Sequence, residues 1–150
     1  MYQFIRTDIR NKDFIQLVKL LDTDLAVKDG DDYSFYSQYN KIDSLNHVLV
    51  AYENQMAVGC GAIKIYNPST VEIKRMFVLP DWRGKGIATK VLLHLEAWAA
   101  ELEFTRCILE TGKRQPDAIA LYEKNGYTKI SNYGQYTGVD NSVCFERYFK

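Results

Sequence analysis

The sequence has little cysteine and no excess charge of either sign. Its three cysteines, Cys60, Cys107 and Cys144, are irregularly spaced among 150 residues, which argues against a disulfide framework or a zinc site. They are predicted to be buried free thiols in a reducing cytoplasm. Lysine plus arginine and aspartate plus glutamate each total 19, so the charge balance favours neither nucleic acid nor an anionic membrane as a partner.

Long apolar runs and low-complexity tracts are also missing. No apolar run is long enough to span a bilayer, and the segment from Met1 to Arg6 does not resemble a signal peptide, so we expect a cytoplasmic protein without a membrane partner. No internal repeat or linker divides the chain. Its length and its 47% of hydrophobic residues suit one core, and a single domain over residues 1–150 is therefore predicted.

What the sequence does contain is a strand, a glycine-bearing turn and a helix in succession. The segment from Val71 to Leu79 is rich in β-branched and apolar side chains, which predicts a buried strand that Pro80 ends. From Ile87 to Leu102, apolar residues recur at the spacing of a helix. The chain is thus expected to turn directly from a strand into an amphipathic helix.

The turn between them reads Arg83-Gly84-Lys85-Gly86-Ile87-Ala88. The first N–H groups of a helix have no intrahelical acceptor and lie at the positive end of the helix dipole, so they favour an anion. Glycines let a bulky oxyanion approach the backbone, and the two basic side chains add donors. The segment fits a phosphate or pyrophosphate cradle, and equally an ordinary tight turn with a solvated basic face.

Two familiar phosphate motifs do not fit this turn. A P-loop requires four residues between its glycines, whereas a single residue separates Gly84 from Gly86. A dinucleotide fingerprint requires glycine or alanine in its third place, where this sequence has Thr89. A dinucleotide-binding protein is therefore disfavoured.

The turn instead resembles the Arg/Gln-x-x-Gly-x-Gly/Ala motif of the GNAT N-acetyltransferases, with Arg83, Gly86 and Ala88 in the three defined places. Downstream, the segment from Ala118 to Tyr127 resembles that family's second signature, a helix that ends in a glycine–aromatic pair. The resemblance covers most of the chain from about Val48 onward. It implies acetyl-CoA as the donor substrate and no metal, and it does not imply an acceptor.

The resemblance also implies an α/β (α+β) chain with the GNAT fold. The order of predicted elements agrees, since a strand, two helices and an antiparallel hairpin precede the strand–helix–strand unit, and a helix and a closing hairpin follow it. We expect a mixed central sheet of about six to seven strands flanked by about four helices. In this family the two strands joined by the cradle helix are parallel and splay apart at the acetyl-CoA site.

The resemblance places the donor at that splay. Unpaired backbone beside it would belong to Phe77, Val78 and Leu79, and it would pair with the pantetheine arm as an added strand. Gln115 stands where the family often has asparagine, and it would contact the same arm. The pyrophosphate would be bound by the cradle residues Arg83, Gly84, Lys85, Gly86, Ile87, Ala88 and Thr89.

Acetyl transfer to an amine calls for an acid, a base and a donor to the carbonyl oxygen. Tyr122 matches the family's usual acid position, where it would protonate the leaving thiolate or position the sulfur. The backbone N–H of Val78 is the candidate donor to the thioester oxygen. Glu72 and Glu110 are the candidate bases, although a salt bridge with a lysine or arginine close in sequence explains each of them equally well.

The two glutamates differ in their predicted placement. Glu72 lies on the strand before the cradle, where alternation predicts that its side chain shares a face with Lys74, Met76 and Val78. Glu110 follows the next predicted strand, from Thr105 to Leu109, near the point where the splay should open.

Three aspartates follow the first long helix. Asp29, Asp31 and Asp32 precede an aromatic run that ends at Tyr39. They are expected to cap a short second helix, which by itself accounts for acids at that place. The alternative is an acidic, aromatic lip that attracts a cationic amine.

The sequence therefore predicts an acetyl-CoA-dependent N-acetyltransferase that acts on a primary amine. The acceptor is expected to be a small molecule or amino-acid-like, with peptide or protein amines as the second choice. A non-catalytic acyl-CoA-binding module is the alternative from another class. Members of the family are often dimers, so a homodimer is considered by analogy.

Overall fold

The computed structural model describes residues 1–38 and 45–149, and Tyr39 of the aromatic run lies outside them. Within these residues the chain forms seven strands and four α-helices. The strands are β1 (Tyr2–Thr7), β2 (His47–Glu53), β3 (Met56–Asn67), β4 (Thr70–Val78), β5 (Arg106–Gly112), β6 (Thr128–Ile130) and β7 (Ser142–Tyr148). The helices are α1 (Lys12–Asp29), α2 (Tyr33–Ser37), α3 (Ile87–Glu101) and α4 (Pro116–Lys124).

The seven strands form one mixed sheet in the order β1-β2-β3-β4-β5-β7-β6. Strands β4 and β5 run parallel, and the other neighbouring pairs are antiparallel. Helix α3 joins the parallel pair, as a crossover connection requires. The predicted α/β class and the mixed sheet of six to seven strands are confirmed, and the shortest of the four helices, α2, has five residues.

The two faces of the sheet are covered by different helices. On one face, α3 packs Val91 and Leu95 into a core shared with the strands. On the other face, α1 contributes Phe14 to a second core. Successive residues of β2 divide between the two, with Leu49 in the first core and Val48 in the second, as the two-residue period of a strand dictates.

The junction between α1 and α2 differs from expectation. Gly30 ends α1 with a φ of 55°, a left-handed value that favours glycine. Neither Asp29 nor Asp32 caps the following helical turn with its side chain, so the capping prediction was wrong for both. The reason is that Asp32 already has helical dihedrals, φ −85° and ψ −4°, whereas an N-cap residue is normally extended.

Strand β5 runs further than the sequence predicts. The expected strand ends at Leu109, but the ladder with β7 continues through Glu110 to Gly112, which stands opposite Ser142. The pairing partner is distant in sequence, so no local pattern could show this extension. Glu110 therefore lies within a strand.

A bulge in β4 changes which side chains share a face. Gly61 of β3 stands opposite two residues of β4, Arg75 and Met76, and Arg75 has a positive φ of 58°. The extra residue shifts the alternation by one. The predicted common face of Glu72 is therefore right for Lys74, which precedes the bulge, and wrong for Met76 and Val78. Met76 and Val78 pack into the α3 core, whereas the carboxylate of Glu72 lies among tyrosines on the opposite face.

All three cysteines are buried and free. Burial raises the thiol pKa to about 12 for Cys60 and Cys107 and to about 11 for Cys144, so these thiols are poor nucleophiles at neutral pH. Within residues 1–38 and 45–149, no group of three or more His, Cys, Asp or Glu side chains could hold a metal ion. In the same residues, no helix is long and apolar enough to cross a membrane.

Candidate active site

The parallel strand pair separates soon after it begins. Within the described residues, β4 and β5 pair only over Thr70–Glu72 and Arg106–Ile108. Beyond these pairs, β4 keeps β3 on its far side and β5 keeps β7. A gap therefore opens between the two facing edges, and backbone groups along such an edge are free to pair with an extended ligand.

At the wide end of the gap, Val78 directs its backbone N–H away from β3. The N–H of Leu79 donates to the carbonyl of Val58 on β3 at 2.9 Å, and Phe77 stands opposite Cys60 of β3. Successive residues of an antiparallel strand direct their backbone N–H and C=O groups to opposite edges of the strand, so the N–H of the intervening Val78 points into the gap. The prediction of free backbone at Phe77 and Leu79 is corrected accordingly, because β3 already pairs with both.

The turn before α3 presents a row of unpaired backbone donors. Gly84 and Gly86 have φ values of 78° and 81°, which favour glycine. Apart from chain neighbours, no heavy atom lies within 4 Å of the Cβ position at either glycine. The N–H groups of residues 84–89 have no acceptor in the part of the chain that the structure describes, and α3 has no side-chain N-cap. Open space in front of unpaired N–H groups is the geometry of an anion site.

Arg83 bridges the cradle and the gap. Its Nε donates to the carbonyl of Val78 at 2.9 Å, and its guanidinium lies 5.5 Å from the ring centroid of Phe77. A second guanidinium nitrogen lies 3.6 Å from the carboxylate of Asp24. These contacts hold a positive charge beside the row of N–H groups, while Lys85 is exposed and adds its charge from solvent.

The gap and the cradle open into one cavity of about 710 Å³. Leu79, Lys85 and Glu72 do not line it. The other residues that the sequence predicted for the site do line it: Phe77, Val78, Arg83, Gly84, Gly86, Ile87, Ala88, Thr89, Glu110, Gln115 and Tyr122.

Helix α4 supplies Tyr122 to the wall of the cavity. Its ring meets Tyr127 edge-on at 5.7 Å between centroids and lies 6.3 Å from Phe145, so packing fixes its orientation. Its hydroxyl has no hydrogen-bond partner among the described residues. Burial, together with the nearby Glu110 carboxylate, raises the pKa of Tyr122, so the hydroxyl keeps its proton and is available as a donor.

Strand β5 supplies Glu110. Its Oε2 accepts a hydrogen bond from Ser142 Oγ at 2.8 Å, and this Oγ lies 2.8 Å from the hydroxyl of Tyr36. Burial raises the pKa of Glu110 to about 7, against the hydrogen bond from Ser142 and the charge of Lys74, which both lower it. A carboxyl group with this pKa takes up and releases a proton near neutral pH, as a general base must.

The order of elements from α1 to the end of α4 is that of a known family. A model of the acetyltransferase (GNAT) family matches residues 14–127. The chain belongs to this family. The matched region contains both strands of the gap, the cradle and α4.

Individual relatives agree with this membership. IAA acetyltransferase of Azospirillum brasilense is 40% identical over 100 residues, a match that covers 66% of this chain and 65% of that protein. The match therefore spans less than two thirds of the length of this relative. A solved structure from Klebsiella pneumoniae, described provisionally as an acyl-CoA N-acyltransferase, is 30% identical with a TM-score of 0.84 over 100% of this chain and 99% of that chain. PaiA N-acetyltransferase from Thermoplasma acidophilum, solved with coenzyme A, shares the fold at 17% identity and a TM-score of 0.73, covering 99% of each chain.

In this GNAT-family chain, Gln115 precedes α4 and reaches over Gly112. Its Nε2 lies 3.3 Å from the place that a Cβ on Gly112 would take, and its side chain does not cap α4. The amide has no hydrogen-bond partner in the described part of the chain. It therefore remains available to a ligand in the cavity.

The two candidate bases are separated by the fold. Glu72 is 5% exposed and accepts a hydrogen bond from the hydroxyl of Tyr133 at 2.6 Å, away from the cavity lining. Within the described residues, neither Glu72 nor Glu110 forms a salt bridge. Of the two candidate bases, Glu110 alone lines the cavity.

Several side chains at the cavity are not among the predicted catalytic or acetyl-CoA-binding residues, although Asp29 and Tyr36 belong to the segment that the sequence offered as an acidic, aromatic lip for a cationic amine. Tyr36, Lys74 and Asp29 line it, and Ser142 connects Tyr36 to Glu110. An acid in the last turn of a helix opposes the helix dipole, and that signal could have singled out Asp29. No local signal marks Ser142, since tertiary structure alone brings it to Glu110.

Proposed function

We propose that this chain is an acetyl-CoA-dependent N-acetyltransferase that transfers an acetyl group to a primary amine of a small molecule. The observation that carries the proposal is the gap beside β4, where the N–H of Val78 faces open space next to the cradle. A thioester on a long amide-bearing arm that ends in a pyrophosphate has the groups to fill this arrangement. The coenzyme A complex of the Thermoplasma protein, which has the same fold, supports this donor.

The cradle would hold the pyrophosphate end of the donor. The N–H groups of residues 84–89 would donate to its oxygens, and Arg83 and Lys85 would offset its charge. The pantetheine arm would run along the edge of β4 and pair there as an added strand. Gln115 would donate to or accept from an amide of that arm, since its side chain has no other partner among the residues that the structure describes.

Glu110 would serve as the general base. An amine must lose a proton to attack the thioester, and a lysine-type amine holds that proton up to a pKa of about 10.4. Glu110 lines the cavity, and the pKa of its carboxyl is raised to about 7. A base with that pKa is about half ionised at neutral pH, and its ionised form takes up a proton efficiently.

Val78 and Tyr122 would act on the thioester itself. The Val78 N–H would donate to the carbonyl oxygen as it gains charge during attack. Tyr122 keeps its hydroxyl proton and has no competing partner in the described residues, so it would donate to the departing thiolate. The thiolate resembles that of cysteine, with a pKa of about 8.5, and leaves moderately well even without this proton.

A small-molecule acceptor suits the dimensions of the site. A cavity of about 710 Å³ falls in the range of small-molecule pockets, and the donor arm would occupy part of it. Its acceptor end is formed by buried side chains such as Asp29 and Tyr36. Single-domain organisation, a cytoplasmic location and a homodimer remain predictions.

The test is an assay of thiol release from acetyl-CoA with a panel of primary amines. Glu110→Gln removes the base, and Glu123→Gln is a matched control on the exposed side of α4. We expect the wild type and the control to release thiol with at least one amine. Glu110→Gln should slow turnover by roughly a hundredfold while acetyl-CoA still binds.

Two results would contradict the proposal in different ways. If acetyl-CoA binds in calorimetry but no amine causes thiol release, the chain is an acyl-CoA-binding module rather than an enzyme. If Glu110→Gln turns over as fast as the control, the transferase assignment stands and the base is a different group.

A further inference from the structure

The carboxylate of Asp29 faces the cavity without a direct partner. Asp29 is the last residue of α1, is 4% exposed and lines the cavity. Among the described residues, its side chain has neither a hydrogen bond nor a salt bridge. Burial raises its pKa, but a carboxyl so placed is normally stabilised by a bound cation or a donor.

The basic groups around Asp29 are engaged elsewhere. Lys28 forms an ion pair with Asp24 at 3.1 Å. Arg114 donates to the backbone carbonyl of Asp29 at 2.7 Å and lies 3.5 Å from the carboxylate of Asp32. Their charges lower the pKa of Asp29 while that of Asp32 raises it. Among residues 1–38 and 45–149, no basic side chain makes direct contact with the Asp29 carboxylate.

A second polar group at the same place also lacks a partner. The Nδ2 atom of Asn141 is buried and, in the described part of the chain, makes no hydrogen bond of good geometry, although the Asn141 side chain lies close enough to the Tyr36 hydroxyl to lower the pKa of Tyr36. This Nδ2 atom lies 3.6 Å, and Asp29 Oδ1 lies 3.8 Å, from the place that a Cβ on Gly112 would take. Two buried groups with unmet hydrogen-bonding capacity therefore meet above a glycine of the cavity wall, which points to a ligand.

The proposed reaction makes the charge of Asp29 matter. An acceptor amine that gives its proton to Glu110 becomes neutral, and Glu110 becomes neutral with it. Lys74 also lines the cavity, and its charge interacts electrostatically with the carboxylates of Glu72 and Glu110. Asp29 would then remain as a buried anion without a direct counter-charge, an arrangement that is costly in a protein interior.

We propose that Asp29 binds a second positively charged group of the acceptor, so that diamines are preferred over monoamines. One amine of such an acceptor would react beside Glu110, and the other, as an ammonium, would contact Asp29 at the end of α1. This inference rests on the proposed function and narrows its acceptor class.

The experiment compares a straight-chain terminal diamine with the monoamine of the same carbon number. The value of kcat/KM for each is measured in the wild type, in Asp29→Asn and in Asp31→Asn, a matched control whose side chain is exposed in the same turn. We expect the wild type and the control to prefer the diamine by about tenfold to a hundredfold, as for a hydrogen-bonded charged group. Asp29→Asn should lose that preference, so that the ratio of its kcat/KM for the diamine to its kcat/KM for the monoamine falls to about one.

Further readouts keep the outcome decisive. In calorimetry without acetyl-CoA, the diamine should bind the wild type more tightly than Asp29→Asn. Equal kcat/KM for the two amines in the wild type would overturn the inference and leave the proposed function standing, and this comparison does not depend on the variant folding. If none of the amines causes thiol release, the proposed function and the inference are both overturned. An unchanged diamine preference in folded Asp29→Asn would overturn the role of Asp29.

Discussion

The hydroxyl of Ser142 on β7 donates to the carboxylate of Glu110 on the adjacent strand β5 at 2.8 Å. The same hydroxyl lies 2.8 Å from that of Tyr36, so three side chains from separate elements form one connected set. The hydrogen bond stabilises the ionised carboxylate and thereby lowers a pKa that burial has raised.

Removing this hydrogen bond should move the pH profile. Ser142→Ala should raise the pKa of Glu110 above its value of about 7, because burial would then act with less opposition. Since the base works in its ionised form, the acidic limb of kcat/KM against pH should shift to higher pH by up to about one unit. Ser37→Ala, in which an exposed hydroxyl is lost from α2, should leave the profile unchanged. A profile that does not move in Ser142→Ala would contradict the role of this contact.

The raised pKa of Glu110 should also make the protein less stable in alkali than its glutamine variant. Between pH 4.5, the ordinary value, and about 7, the folded state binds more protons than the unfolded state. The free energy of unfolding therefore falls as pH rises through this window. Glu110→Gln removes that dependence and should stabilise the protein at pH 8 by roughly 1 to 3 kcal/mol. Denaturant unfolding of both proteins at pH 4.5 and pH 8 measures the change in the free energy of unfolding. A fall between these pH values that is equal in the wild type and in Glu110→Gln would refute the prediction.

Gly86→Glu should abolish acetyl-CoA binding while the chain stays folded. The new side chain would enter the open space of the cradle and place a negative charge where the pyrophosphate should lie. The control is Gly138→Glu, because Gly138 has a similar φ of 77° and equally open surroundings. Both variants should lose about 1 to 2 kcal/mol through the left-handed backbone conformation. Calorimetry with acetyl-CoA should show binding in the control alone, and full affinity in Gly86→Glu would exclude the cradle as the pyrophosphate site.

Two neighbouring tyrosines should respond oppositely to loss of the hydroxyl. Tyr122→Phe removes a hydroxyl that has no partner in the described residues, so the stability should not change. Turnover should fall by roughly tenfold, a modest effect because a thiolate is a fairly good leaving group without a proton donor. Tyr127→Phe removes a 2.7 Å hydrogen bond to Glu96 and should cost about 1 to 3 kcal/mol of stability with little change in turnover. Thermal unfolding and steady-state kinetics on both variants test the contrast, and the reverse pattern would remove Tyr122 from the reaction.

The elements that local sequence chemistry controls were predicted well. Helix α3 begins at the predicted Ile87. Capping groups, glycines and apolar periodicity act over a few residues, so their consequences can be read directly from the chain. The capping role of Asp32 was mispredicted because the chain continues from one helical segment into the next.

By itself, the sequence predicted the cradle: Gly84, Gly86 and the start of α3 indicate a candidate anion site through local backbone conformation and the N–H groups at a helix start. Tertiary structure decided the rest of the site. Glu72 lies where β4 and β5 are still paired and therefore stays out of the cavity, pairing with β7 carried Glu110 into it, and the end of α1 brought Asp29 to the same wall. These placements depend on register and packing between segments far apart in the chain, which no local pattern encodes.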